Sequence, residues 1–297
     1  MRQVSRILAT FCTILYVTAF PARAADCANP PGWVPDDLPE LLFEHRAWVT
    51  DVLLPDPNDP RRLNLCHADL SNMDFSGVNL SHANLAVTRM VGTNFEGAVL
   101  NGVKLDGSYI SNSNFEGALL NRASFRNVEI TTSLFAYAVM SHSLFQQAKI
   151  NESDFTAAHF ENATFRHITF TALKMQNAVL HQADFRDSLM ENIDLSGADL
   201  SQTNFTRSEA SQVDFTYANL SQANLGRLKI QDVTFKNALL YLSNLRRLNI
   251  GEEQRDHIAV FCRNLTSARD WQYSYRKKKF LCGAKRLPGK YALSRHK

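Results

Sequence analysis

The sequence predicts an all-β chain: a solenoid of five-residue units stacked four to a coil. Three observations carry this. A large apolar residue recurs at every fifth position from Leu65 to Ile250, through 38 units with no insertion or deletion, and Ala210 is the one exception in size. Fourteen of the 19 phenylalanines sit at those positions; seven fall in one 20-residue series (Phe75, Phe95, Phe115, Phe135, Phe155, Phe215, Phe235) and five in another (Phe125, Phe145, Phe165, Phe185, Phe205). None of the nine prolines lies between Pro60 and Pro288. A period of five is neither 3.6 nor 2, so neither a plain helix nor a plain strand fits. Five residues cannot bury their own apolar side chain, so the units must stack on one another. With twenty residues per coil, the two phenylalanine series become columns on opposite walls, with mostly aliphatic walls between them. Interior coils must donate backbone hydrogen bonds to their neighbours, which proline cannot do.

Each unit has further rules. Two residues before the 38 central positions stand 15 Ala, 8 Ser and 3 Thr, the other 12 being Val, Ile, Leu or Met. The intervening site is often Asp or Asn, as in Ala68-Asp69-Leu70 and Ala198-Asp199-Leu200. Seven of the 12 glycines lie two residues after a central position, among them Gly77, Gly92, Gly97, Gly102 and Gly107, where a corner needs an unusual backbone. This A-(D/N)-L-x-x pattern resembles the pentapeptide repeat family over about 186 residues. The resemblance implies a right-handed quadrilateral parallel β-helix of about 9.5 coils, ~45 Å long at ~4.8 Å per rung.

The flanks read as caps for the exposed ends of the stack. Asp36-Asp37-Leu38-Pro39-Glu40 reads as a helix start, followed by Leu38, Leu41, Leu42, His45 and Val49 at helical spacing. After Gly251, Ile258, Phe261, Cys262 and Leu265 suggest a second helix. Residues 1–24 carry Arg2 and Arg6, the largely apolar stretch Ile7–Phe20 and a small-residue ending at Ala24, the pattern of a cleaved secretory signal peptide. Fourteen helical residues would rise only ~21 Å, short of a bilayer core. The expected organisation is therefore 1–24 signal peptide, 25–62 N-terminal flank with a capping helix, 63–250 β-helix, and 251–297 C-terminal helical cap and basic tail. Export places the chain in the periplasm or outside the cell and permits disulfides. Losing Cys12 with the signal leaves Cys27, Cys66, Cys262 and Cys282. Three pairings are open, of which Cys27–Cys66 with Cys262–Cys282 is the local one. A metal site is disfavoured, because no two of these cysteines have ligand spacing.

Composition narrows the function classes. A chain of 297 residues with 45% hydrophobic residues and net charge +3 is neither disordered nor a multi-span membrane protein. No catalytic constellation, phosphate-binding loop or cofactor motif stands out, and no cofactor is expected. Register sets His167 one coil from Asp187 and His181 one coil from Glu161, which reads as surface pairing rather than catalysis. Some members of the resembled family imitate duplex DNA and protect DNA gyrase. That needs a strongly acidic surface and a cytosolic address, whereas residues 63–250 carry 17 acids against 14 bases. Nucleic acid is thus a disfavoured partner. The tail from Gly251 carries 12 bases against four acids, including Arg276-Lys277-Lys278-Lys279, and is a candidate contact for an anionic envelope surface. From Thr131 to Ala148 there is no charged residue, and Leu134, Val139 and Leu144 occupy outward sites. Val99 and Leu119 are expected to stack beneath Val139, with Tyr137 at a turn, making one apolar patch for a partner or a second copy. The expectation is a non-enzymatic exported scaffold for a macromolecular partner, a protein in the first instance. The rival is an envelope enzyme whose sign would be a concave pocket between cap and solenoid.

Overall fold

A computed structural model describes residues 27, 29–51 and 59–248. The expected signal peptide, the second helix, the basic tail with Arg276–Lys279, and Cys262 and Cys282 lie outside the described residues. What is described is a four-sided parallel β-solenoid. One wall forms a regular sheet of eight strands in chain order: β1 (Arg89–Val91), β2 (Tyr109–Ser111), β3 (Glu129–Thr131), β4 (Lys149–Asn151), β5 (Thr169–Lys174), β6 (Leu189–Asp194), β7 (Glu209–Asp214) and β8 (Lys229–Gln231). All pairs are parallel with a register of twenty, as in Met90↔Ile110 and Ile110↔Ile130. These eight strands span seven turns. On another wall, single bridges from Asn64↔Asn84 to Asn224↔Asn244 carry the pairing through nine turns, slightly fewer than the 9.5 coils expected.

The hydrogen bonding explains the five-residue unit. Central and corner residues donate to the coil above, as in Leu70 N–H to the Arg89 carbonyl (2.8 Å) and Asn72 N–H to the Val91 carbonyl (2.9 Å). The outward residue donates to the coil below, as in Arg89 N–H to the Ala68 carbonyl (3.0 Å). Between them the chain turns: Ala68 N–H bonds the Leu65 carbonyl (3.0 Å) and His67 has φ 65°. That is a type II turn, whose third residue must be left-handed. Every site two residues past a central position, from 67 to 247, has positive φ. Seven are glycines, as the sequence predicts, but most are not. Asn and Asp tolerate the conformation; Val87 (φ 57°) and Thr132 (φ 47°) are held there by inter-coil bonding against their β-branched preference.

One corner per coil is different, and its small-residue site varies. After β1 to β3 the corner has no turn bond. Instead Thr93 N–H donates to Ser113 Oγ, Ser113 N–H to Ser133 Oγ and Ser133 N–H to Ser153 Oγ, at 3.1–3.2 Å. Where this column changes to Leu173, Ile193 and Val213 the hydroxyls are gone, and strand pairing runs through the corner instead (Leu173↔Ile193, Ile193↔Val213). β5, β6 and β7, which carry these aliphatic corners, are six residues long; β4, which meets Ser153, is three, and so is β8, although Val233 follows it.

The core is a stack of rungs. Phe75, Phe95, Phe115, Phe135 and Phe155 lie face to face at 4.6–5.1 Å between ring centroids. Phe125, Phe145, Phe165, Phe185 and Phe205 do the same at 4.5–5.0 Å. Phe160 and Phe170, from the other two walls, touch rings of these columns and tie the middle of the core together.

Helix α1 (Leu38–Asp51) lies against the first coils. Leu38, Leu41 and Leu42 pack on the core as expected, but Trp48 and His45 are its fully buried residues, and Val49 is only partly covered. Tryptophan is excluded from the rungs, yet the end of the stack has room for it. The segment before α1 extends the ladder: Gly32 N–H bonds the His67 carbonyl (2.8 Å) and Asp69 N–H the Trp33 carbonyl (2.9 Å). A disulfide joins Cys27 to Cys66, with Cα atoms 5.4 Å apart.

Candidate functional site

The outward residue of each unit faces solvent on one of four walls. Val99, Leu119 and Val139 stack as direct neighbours on one wall (Val99↔Leu119, Leu119↔Val139), with Val179 resuming beyond His159. Leu119 is 37% exposed, and Val99 and Val139 are half-buried. The six residues expected to form one patch are nevertheless divided. Leu134 (47% exposed) belongs to the preceding wall, between Asn114 and Asp154, and Tyr137 (60% exposed) is the corner joining that wall to Val139. Leu144 lies on the following wall, between Ser124 and Thr164, past the His142 corner. The reason is the period itself: 134, 139 and 144 are one unit apart, so they occupy successive walls. The contiguous apolar surface is the Val99–Leu119–Val139 column with Tyr137 and Leu134 at its edge.

These residues stand where the fold has another use for the site. Elsewhere the outward Asp or Asn accepts a hydrogen bond from the N–H two residues on, which the inter-coil ladder leaves unpaired. Asp69 Oδ1 accepts from Ser71 N–H (3.0 Å), Asn79 from Ser81 (3.0 Å), Asp199 from Ser201 (3.0 Å) and Asn219 from Ser221 (3.1 Å). Leu134, Val139 and Leu144 cannot make this bond, a local loss of about 0.5–1.5 kcal/mol each. At Val139, within the column, the apolar side chain thus forgoes a bond that Asp or Asn makes elsewhere.

Two family descriptions match this chain: "Pentapeptide repeats (8 copies)" over residues 61–97, 79–117, 88–127, 98–135 and 211–247, and "Pentapeptide repeat region" over 138–215. Together they run from 61 to 247, most of the chain. The chain belongs to the pentapeptide repeat family. Solved pentapeptide repeat proteins match the chain at low identity. HetL of the cyanobacterium Nostoc sp. strain PCC 7120, involved in heterocyst differentiation regulation, is 22% identical, with 62% of this chain and 86% of that chain covered and a TM-score of 0.40. Full-length QnrB1, a plasmid-mediated fluoroquinolone resistance protein, is 16% identical, with 66% and 96% covered and a TM-score of 0.48. No curated protein matches the chain.

The polar surface of this pentapeptide repeat protein is largely committed to coil-to-coil pairing. Asp187 is held by Arg207 (2.6 Å), which lowers its pKa, rather than by His167. His181 Nδ1 pairs with Ser201 Oγ (2.8 Å), while Glu161 is held by Ser141 (2.6 Å) and His159 (3.6 Å). The His181–Glu161 pair suggested by register is thus replaced by contacts of His181 with Ser201 and of Glu161 with Ser141 and His159. A shallow depression of about 330 Å³ is lined by Thr132, Leu134, Glu152, Asp154 and Lys174 at an open corner, away from the cap.

Where α1 meets the first coils, His45 and Trp48 are both fully buried. His45 Nδ1 accepts a hydrogen bond from Leu63 N–H (3.1 Å). Trp48 packs beside it (ring centroids 5.3 Å) and edge-on to His82 (6.4 Å). Burial, reinforced by electrostatic repulsion from Arg62 and to a smaller degree His82, lowers the His45 pKa from 6.5 to about 4, the Ser81 backbone opposing. A group whose pKa is depressed on folding in this sense must stay neutral, so its contribution is complete above pH 6.5 and is lost as pH falls to about 4. The full loss corresponds to roughly 3 kcal/mol. His45→Gln keeps an acceptor for Leu63 N–H. The stability difference between wild type and variant, followed by urea unfolding, should shrink or reverse across that pH interval; a pH-independent difference would show that His45 does not titrate this way.

Proposed function

We propose that this pentapeptide repeat protein is an exported, non-enzymatic scaffold that binds a protein partner through the Val99–Leu119–Val139 column and its Tyr137–Leu134 edge. The observation that carries the reading is the column's composition. Apolar side chains replace the hydrogen-bonding residues the fold favours, at stacked sites on a wall held rigid by the inter-coil ladder. A preordered surface binds with little entropy cost, and Leu and Tyr at fixed spacing suit an apolar partner surface. Export rests on the three-part segment 1–24, and the basic tail at Arg276–Lys279 is suited to hold the scaffold against an anionic envelope surface.

The test places a photo-crosslinking residue at Val99, on the column, or at Thr169, on another wall, in cells producing the protein. The mature N-terminus is read by mass spectrometry in the same samples. The expected result is one dominant adduct from position 99, little from 169, and a chain beginning at Ala25. Equal labelling from both walls would remove the column's role, and a chain beginning at Met1 would remove export. An adduct of twice the chain's mass would identify the partner as a second copy.

A further inference from the structure

Spacing between cysteines disfavours a metal site, but folding brings a third donor to two of them. Cys66 is followed at once by His67, and the segment before α1 brings Cys27 to both. The two sulfurs and a His67 ring nitrogen lie within 4.8 Å of one another. His67 Nδ1 is sealed from solvent and has no hydrogen-bond partner. A buried polar atom left unpaired is costly, and a bound cation is one way of satisfying it.

The placement does not depend on the sulfur–sulfur bond alone. The Cys66 carbonyl accepts from Trp33 Nε1 (3.0 Å) and Asn29 Nδ2 (3.3 Å). The His67 carbonyl accepts from Gly32 N–H (2.8 Å), and His67 N–H donates to the Ala86 carbonyl (3.1 Å). These bonds hold the N-terminal segment against the first coil whether or not the sulfurs are joined. His67 sits at a left-handed corner (φ 65°), which fixes where its ring leaves the backbone.

We propose that, when reduced, Cys27, Cys66 and His67 form a Zn²⁺ site of two thiolates and one imidazole, with water in the fourth position. Two sulfurs and one nitrogen are a donor set zinc accepts in tetrahedral geometry. The site is gated by oxidation. A dithiol reductant delivers two electrons and two protons to the disulfide and leaves as its own disulfide; Zn²⁺ then displaces the two thiol protons. In the oxidised chain the sulfurs are bonded to each other and the site is closed.

The experiment uses the full chain with Cys12, Cys262 and Cys282 changed to serine, so that two thiols remain. Co²⁺, whose sulfur-to-metal absorption reports thiolate ligation, is titrated into oxidised and reduced protein, and Zn²⁺ is then used to displace it. Reduced protein should bind one Co²⁺ per chain with a thiolate band that Zn²⁺ abolishes, and oxidised protein none. His67→Asn keeps a residue tolerant of positive φ and should weaken binding at least tenfold, the lower end of the loss seen when only a ligand's hydrogen-bond partner is removed. Circular dichroism checks that the variant keeps its fold. Absence of the band in reduced protein, or unchanged affinity in His67→Asn, overturns the proposal.

Discussion

Replacing Phe135 by alanine is expected to lower the unfolding free energy by about 3–5 kcal/mol. Phe135 is fully buried, with parallel rings 4.6 and 4.7 Å away on either side. The wall behind it cannot move in to fill the gap, because Phe135 N–H bonds the Asp154 carbonyl (2.7 Å) and the rungs above and below are bonded in turn. A cavity therefore persists, and the cost lies toward the upper part of the range. Phe135→Leu should cost less than about 1.5 kcal/mol, since it conserves most of the volume. Leu195 already occupies the same column. Phe235→Ala, near the end of the described stack, should cost less than Phe135→Ala because terminal coils open more readily. Urea unfolding of the three variants checks the ordering. A cost below about 1 kcal/mol for Phe135→Ala would mean that the rings do not carry the core.

Proline substitution has the second large effect, and its size depends on position within one unit. Val139→Pro removes the bond from Val139 N–H to the Ala118 carbonyl (2.9 Å) and sets a ring against the coil below. A loss of about 3 kcal/mol or more is expected. Ala136→Pro, three residues away, should be tolerated to within about 1 kcal/mol. Ala136 is the second residue of the turn closed by Ala138 N–H to the Phe135 carbonyl (3.1 Å), with Tyr137 at φ 60°. Proline is favoured at that place in a type II turn. Its N–H lies outside the ladder, which uses Phe135 and Tyr137 instead. Thermal midpoints of the two variants decide it, and the reverse order would mean that the turn register is wrong.

The architecture was legible because one rule repeats through 38 units: a large apolar central residue with Ala210 the one exception, a small or aliphatic residue two before it, and no proline. Four features were not. The six-residue strands β5 to β7 coincide with Leu173, Ile193 and Val213 in place of hydroxyls at one corner, a distinction that the shared small-or-aliphatic pattern hides. The apolar patch divides over three walls because proximity in sequence places residues on successive faces. The Cys27, Cys66 and His67 cluster depends on a chain reversal with a sequence separation of 39, for which spacing gives no signal. The adjacent Cys66-His67 pair was the one hint available. The Trp48–His45 contact has the same character, since the helical pattern points to Val49 on the buried face and only docking against the first coils selects Trp48.

The most direct test is the unfolding free energy of the double variant Leu119→Asn/Val139→Asn, measured beside its crosslinking from position 99. The asparagine introduced at position 139 can accept a bond from Ser141 N–H, while at position 119 the gain is absent because Asn121 N–H already bonds Asn101 Oδ1 (3.0 Å). If the column exists for contact and not for folding, stability is unchanged or raised by up to about 1 kcal/mol while partner capture is lost. A stability loss of more than about 1 kcal/mol with capture intact would contradict it, and would assign the column to the fold itself.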